Sequence, residues 1–297
     1  MRLLVAGWHG QLASALVEIA PGEPDVKALA VGRPALDLCE PASITRAMTD
    51  FGPDVVINTA AYTAVDKAES EPEAAFALNR DGARMLAEAA AKRGAAMIHV
   101  STDYVFDGSK SSPYVETDPT APLGVYGRSK LEGEIAVREA NPRHAIVRTA
   151  WVHSPGGTNF VRTMLRLAAD RPLLRVVDDQ IGSPTYAPHL ARAILHLARN
   201  LTGAPEGDER WGIYHAAGGG EVTWCGLARE TFRISKSLGG PSADVEAITT
   251  ADYPTPARRP ANSRLDCTKL QKLHAITLPP WQAGVAEGVS RLVSQST

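Results

Sequence analysis

Apolar residues in the first half of the chain fall into short, nearly unbroken runs, separated by longer Ala- and Leu-rich stretches with polar punctuation. Runs that stay apolar on successive residues, rather than alternating, suit strands buried on both faces. They predict strands over 2–6, 26–31, 55–58, 96–101 and 145–149. Between them the spacing predicts helices over 11–19, 43–51, 72–93 and 128–139, with Pro72 near the start of the third and Gly94 just past its end. That is the usual helix punctuation. Strand and helix alternating in this way predict an α/β class, a Rossmann-like doubly wound parallel sheet. The second half is irregular and rich in Pro and Gly, with one clear helix over 188–200 and a strand-like 212–216. The expected division is a dinucleotide-binding domain over 1–150 and a smaller irregular C-terminal substrate domain over 151–297, with about 186–216 returning to the first.

Against this frame the glycines acquire meaning. Gly7-Trp8-His9-Gly10-Gln11-Leu12-Ala13 joins the first strand to the first helix. Gly7 permits a tight turn, Gly10 lets a pyrophosphate approach the backbone, and Ala13 keeps the helix near the sheet. The helix start then offers unpaired N–H groups, those of Gln11 and Leu12 among them, and a positive dipole end to phosphate. The second strand ends at Val31-Gly32-Arg33 with no carboxylate for a ribose diol. Arg33 would suit a 2′-phosphate, which favours NADPH with NADH as the alternative. Asp37 and Leu38 would lie beside the adenine, and the small residues of Asn58-Thr59-Ala60-Ala61-Tyr62 would let the cofactor cross the strand ends.

The chemistry is expected further on. Ser101-Thr102-Asp103-Tyr104 closes the fourth strand, and Tyr126 stands four residues before Lys130 in Tyr126-Gly127-Arg128-Ser129-Lys130. Residues four apart share a helix face, so the Lys130 ammonium is expected beside the Tyr126 phenol, favouring its ionised form. Thr102 would add a hydroxyl at the strand end, and the three together form a reductase-type proton-transfer set. Trp151 follows the fifth strand and by itself reads as a core aromatic, and Arg258-Arg259 lies in a Pro-rich loop where paired guanidiniums suit a diphosphate. His9, His99 and His153 are scattered and read as structural, and Glu69, Glu71 and Glu73 as a solvated helix start.

Composition narrows the partners. The 297 residues carry a formal net charge of only −2 and are 44% hydrophobic, which argues against nucleic acid as a partner. Cys39, Cys225 and Cys267 lack the spacing of a zinc site or redox pair, and no run approaches a secretory signal or a membrane span. A cytoplasmic location away from any membrane is expected, and no metal ligands are picked out.

Taken together, these segments resemble the dTDP-4-dehydrorhamnose reductase family of the extended short-chain dehydrogenases. The resemblance also rests on Asn58 to Glu69, Arg148-Thr149-Ala150-Trp151-Val152, Asn159 to Leu165, Asp179-Gln180-Ile181-Gly182-Ser183-Pro184-Thr185 and Pro254 to Ser263. It implies Thr102, Tyr126 and Lys130 as catalytic residues. Gly10, Gln11, Leu12, Ala60, Ala61 and Tyr62 become cofactor contacts, and Trp151 with Thr102, Asp103 and Tyr104 becomes a sugar contact. It implies reduction of the C4 ketone of a dTDP-6-deoxysugar, with Mg²⁺ at a homodimer contact in some members. The rivals are a reductase of a related dTDP-4-keto-6-deoxysugar and a non-catalytic regulatory subunit of the methionine adenosyltransferase type. A sugar dehydratase would need a Glu where Tyr104 stands.

Overall fold

The computed structural model describes residues 1–294. In chain order the elements begin with β1 (Arg2–Ala6), α1 (Gln11–Ile19), β2 (Lys27–Val31), α2 (Pro41–Phe51), β3 (Val55–Asn58), α3 (Val65–Ala68), α4 (Pro72–Phe76), α5 (Ala83–Lys92) and β4 (Ala96–Thr102). They continue with α6 (Val125–Ala140), β5 (His144–Thr149), β6 (Val152–His153), α7 (Phe160–Ala168), β7 (Leu173–Val177), β8 (Ile181–Gly182), β9 (Thr185–Tyr186), α8 (Ala187–Leu201) and β10 (Gly212–His215). The last are β11 (Val222–Thr223), α9 (Trp224–Ser237), β12 (Asp244–Ile248), β13 (Asn262–Ser263), α10 (Thr268–His274) and α11 (Trp281–Ser294).

Six strands form one parallel sheet in the order β10-β5-β4-β3-β1-β2. Its central strands are the apolar runs: Leu3 to Ala6, Val55 to Ile57 and Ala96 to Ile98 are wholly inaccessible to solvent. One face is covered by α1 and α8 through Leu12, Leu16, Leu190, Ile194 and Leu197. The other is covered by α2, α5 and α6 through Ile44, Met48, Leu86, Ala90 and Val137. The order in which successive strands are added reverses between β1 and β3, so their carboxyl ends frame the crevice where such sheets bind ligands.

The predicted helix over 72–93 is one continuous rod with a π-helical stretch, Ala77–Gly82, between α4 and α5. Helix α6 starts at Val125, ahead of the expected 128, because Glu69 Oε1 accepts the Val125 N–H at 2.7 Å and supplies the cap that Gly124 lacks. A third core joins α7, α9 and α11 around Met164, Leu165, Phe232, Val285 and Val289. Three two-stranded to three-stranded sheets, β12-β7, β6-β9 and β11-β8-β13, complete this smaller lobe.

Candidate active site

The start of α1 is built as an open cradle. Gly7 takes φ +103°, and a Cβ there would stand 2.8 Å from Thr59 Oγ1, so only glycine fits the turn. Gly10 caps α1 without a side-chain bond and has nothing near its missing Cβ. The first N–H groups of the helix are therefore free for an anion. These features fit a dinucleotide pyrophosphate. Ala60 N–H bonds Asn58 Oδ1 at 3.1 Å, Ala61 follows it half-buried, and Tyr62 N–H bonds Asn79 Oδ1 at 2.8 Å. Arg33 is exposed beyond β2.

Three expected contacts are turned elsewhere. The Leu12 side chain is in the core beneath α1, leaving its backbone to the crevice. Leu38 is buried against Gly82 rather than open to an adenine, and only the half-buried Asp37 beside it, which accepts the Cys39 N–H, remains near the surface. The Tyr62 hydroxyl donates to Glu71 Oε2 at 2.7 Å, which raises the Tyr62 pKa and draws the phenol toward the acidic turn. Glu69 and Glu71 thus have structural partners, unlike a merely solvated helix start.

Tyr126, Lys130 and Thr102 come together at the carboxyl end of β4. The Thr102 hydroxyl donates to Asp103 Oδ1 at 3.0 Å and accepts the Tyr104 N–H at 3.2 Å. The Tyr104 ring meets Tyr126 edge-on at 5.5 Å. Lys130 is buried and donates to Val100 O at 2.7 Å, with His99 Nε2 at 3.4 Å. His99 in turn faces Asn58 Nδ2 at 3.1 Å. That histidine, read from sequence as structural, helps seat the lysine.

The electrostatics correct one expectation. Burial pushes the Tyr126 phenol up to about 12, the bond with Thr102 opposing the rise and the Asp103 charge adding to it. Burial brings Lys130 down to about 8, with Glu134 opposing. In this arrangement the ammonium points to the backbone of β4, and desolvation outweighs any help it gives to the phenolate. The phenol is thus held protonated at neutral pH, as a proton donor must be. Asp103 is likewise raised to about 6 by burial, with bonds from Ser263 and Thr102 pulling the other way.

Beneath the site lies an ion pair that composition could not announce. Arg148 Nε and Nη2 donate to Glu134 Oε1 and Oε2 at 2.9 and 2.7 Å, and Ser101 Oγ donates to the same carboxylate at 2.5 Å. The sequence signals were a lone arginine in an apolar strand and a glutamate one helical turn after Lys130. Two glycines let α6 sit this close. A Cβ on Gly127 would lie 2.2 Å from Tyr104 O, and one on Gly133 would lie 2.1 Å from Asn79 O.

Across the crevice the small lobe presents aromatic rings. Trp151 has φ +48°, a left-handed backbone that is costly for a bulky residue and concentrates at functional sites. Its indole stacks on Trp224 at 3.5 Å and 11°, and Gly182 approaches the ring so closely that a Cβ would lie 2.5 Å away. Less of the ring is therefore open to a ligand than a free platform would offer. Phe160, Met164, Gln180, Trp224, Tyr253 and Arg259 are among the walls of a cavity of about 660 Å³. The two loop arginines do not act as a pair. Arg259 is tied to Asp66 at 2.8 Å and reaches the cavity, whereas Arg258 is exposed. Among the described residues no cluster of three or more His, Cys, Asp or Glu could hold a metal ion, and no helix is long and apolar enough to cross a membrane.

Residues 1–294 match the family model described as the RmlD substrate binding domain. A dTDP-4-dehydrorhamnose reductase from Sinorhizobium fredii is 51% identical over 293 residues, 99% of this chain and 97% of that protein. Among solved structures, a dTDP-4-dehydrorhamnose reductase from Clostridium acetobutylicum superposes with a TM-score of 0.90 at 35% identity, covering 98% of this chain and 99% of the other. One from Bacillus anthracis, in complex with NADP, does so at 0.87 and 33% identity, covering 97% and 98%.

Proposed function

The chain belongs to the dTDP-4-dehydrorhamnose reductase family, and on that premise we propose that Thr102, Tyr126 and Lys130 carry out NAD(P)H-dependent reduction of the C4 ketone of dTDP-4-dehydro-6-deoxy-L-mannose to dTDP-L-rhamnose. The observation that carries this reading is a half-buried phenol, held protonated, between a strand-end hydroxyl and a lysine one helical turn on. When bound, the reduced nicotinamide supplies the hydride. Tyr126 donates its proton to the ketone oxygen as negative charge grows there, and Thr102 steadies that oxygen with a second hydrogen bond. Lys130, held by Val100 O and His99, would bond the nicotinamide ribose when the coenzyme is bound.

The coenzyme side comprises 1–150 together with about 186–216: Gly7, Gly10, Gln11 and Leu12 through their backbone, Ala60, Ala61 and Tyr62 across β3, and Asp37 at the adenine end. Arg33, with no acid in its place, favours the 2′-phosphate of NADPH over NADH. The remainder holds the nucleotide sugar, with Trp151 at the deoxysugar facing Asp103 and Tyr104 of the coenzyme side, and Arg259 toward the diphosphate. The enzyme works in the cytoplasm. Coenzyme oxidation with the dTDP-ketosugar, followed by NMR of the product, tests the reaction and distinguishes it from a related deoxysugar or a binding-only role. Tyr126→Phe is expected to keep coenzyme affinity and lose ~10² to 10⁴ in kcat. Retention of more than half the turnover would overturn the assignment.

A further inference from the structure

The two halves of the cleft meet through one side chain. Gln11 is the first residue of α1, so its backbone belongs to the phosphate cradle while its amide reaches the other way. Gln11 Oε1 accepts the Asn159 Nδ2 at 2.8 Å and the Ser154 hydroxyl at 3.0 Å, and Gln11 Nε2 donates to Val152 O at 3.3 Å. Those partners lie more than a hundred residues away, on the segment that leads into α7. Asn159 is bound on both sides. Its Oδ1 accepts the Arg162 N–H at 3.1 Å and caps α7, and its Nδ2 also donates to Ser154 O at 2.8 Å. Helix α7 then carries Phe160, Thr163, Met164 and Leu167 into the wall of the 660 Å³ cavity. A continuous path therefore runs from the phosphate cradle through Gln11 and Asn159 to the cavity wall.

The connecting segment, Ser154-Pro155-Gly156-Gly157-Thr158, has no ladder of its own and is exposed over Gly156 to Thr158. Its position depends on these amide bonds, and ordering such a segment costs conformational entropy. A ligand that fixes the start of α1 holds Gln11, and so lowers the ordering cost that a second ligand in the cavity would otherwise bear. We propose that the Gln11–Asn159 bond is the positioning device that couples coenzyme occupancy to nucleotide-sugar occupancy, so that each tightens the other. This rests on the functional reading above and adds to it a cooperativity between the two sites and the residues that carry it. By linkage the factor must be the same in both directions.

The test uses the full chain with NADP⁺ and dTDP as the two probes, each Kd measured by calorimetry alone and with the other at saturation. Wild type is expected to show about 5-fold or greater mutual tightening, the lower end of ordinary coupling. Gln11→Met fills similar space without the amide, and Asn159→Ser keeps an N-cap oxygen for α7 while removing the Nδ2 donor. Each is expected to bring the factor down to about 1, and the double variant to do no more than either alone, since the Gln11–Asn159 bond is lost in every case. Loss of stability alone would shift the single-ligand Kd values without erasing their mutual dependence. Wild-type binding without coupling, or coupling that survives unchanged in both single variants, would overturn the inference and leave the reductase reading intact. Failure of wild type to bind either probe would sink that reading and the inference with it.

Discussion

The sheet side and the lobe side of the cleft are held by different physics. On the sheet, β1, β3 and β4 run parallel in matched register, so Gly7, Asn58 and Thr102 emerge at one edge because the ladder places them there. In the lobe, β8, β11 and β13 are two residues each and come from distant parts of the chain. What holds them is side chain on side chain. Trp151 stacks on Trp224, Phe160 packs on Trp224 at 4.7 Å, Trp224 Nε1 donates to Gln180 Oε1 at 3.1 Å, and Gln180 Nε2 donates to Thr250 Oγ1 at 3.0 Å. A backbone ladder tolerates many side chains, whereas a stack of particular rings does not. The proposed catalytic groups lie on the tolerant side, and the cavity depends on the exacting one.

The contrast breaks first where the sheet side does rely on a side chain. Glu134→Ala strands the Arg148 guanidinium, which is only 3% exposed. Removing one member of a buried pair typically costs ~3 to 5 kcal/mol, and denaturant unfolding is expected to show a loss of that size. A loss below about 1 kcal/mol, the scale of an exposed pair, would mean that Arg148 is satisfied without Glu134.

On the lobe side, Trp151→Ala removes a half-buried indole from the stack. The expected stability loss is smaller, ~1.5 to 3 kcal/mol from lost burial, with a raised KM for the ketosugar and coenzyme Kd changed less than about twofold. Were coenzyme affinity to fall as far as ketosugar affinity, the two sides would not be separable in this way.

A third test sharpens the comparison through pH. Lys130 titrates near 8 in the folded chain instead of its ordinary 10.5. Reduction is expected to hold steady below pH 8 and to decline above it as the ammonium is lost, by about tenfold per unit at the steepest. Stability moves the other way. Between pH 8 and 10.5 the unfolded chain keeps a proton that the folded chain has released, so this group's contribution to stability rises with pH across that window. Lys130→Met should remove both trends; unfolding curves at the two ends of the window that rise equally in wild type and variant would assign the trend to other groups.

Much of the sheet side was legible in the residues themselves. The apolar runs, the Gly7 turn and the four-residue spacing of Tyr126 and Lys130 are local patterns, and local geometry turns them directly into strands, a cradle and a shared helix face. The strand-end position pointed to Thr102, and the family resemblance implied the sugar contact of Trp151. Other features depended on partners far along the chain. Leu38 looked like a surface neighbour of an adenine until Gly82 packed on it. Helix α6 gained its first turn from Glu69. His99 became a seat for Lys130, and burial rather than the lysine set the Tyr126 pKa. Gln11 read as a cofactor contact, and only the folded chain shows its amide bonded to Asn159. Periodicity determines elements because it is a property of a few consecutive residues, whereas desolvation, capping from a distance and ring stacking are properties of pairs that only the closed chain brings together.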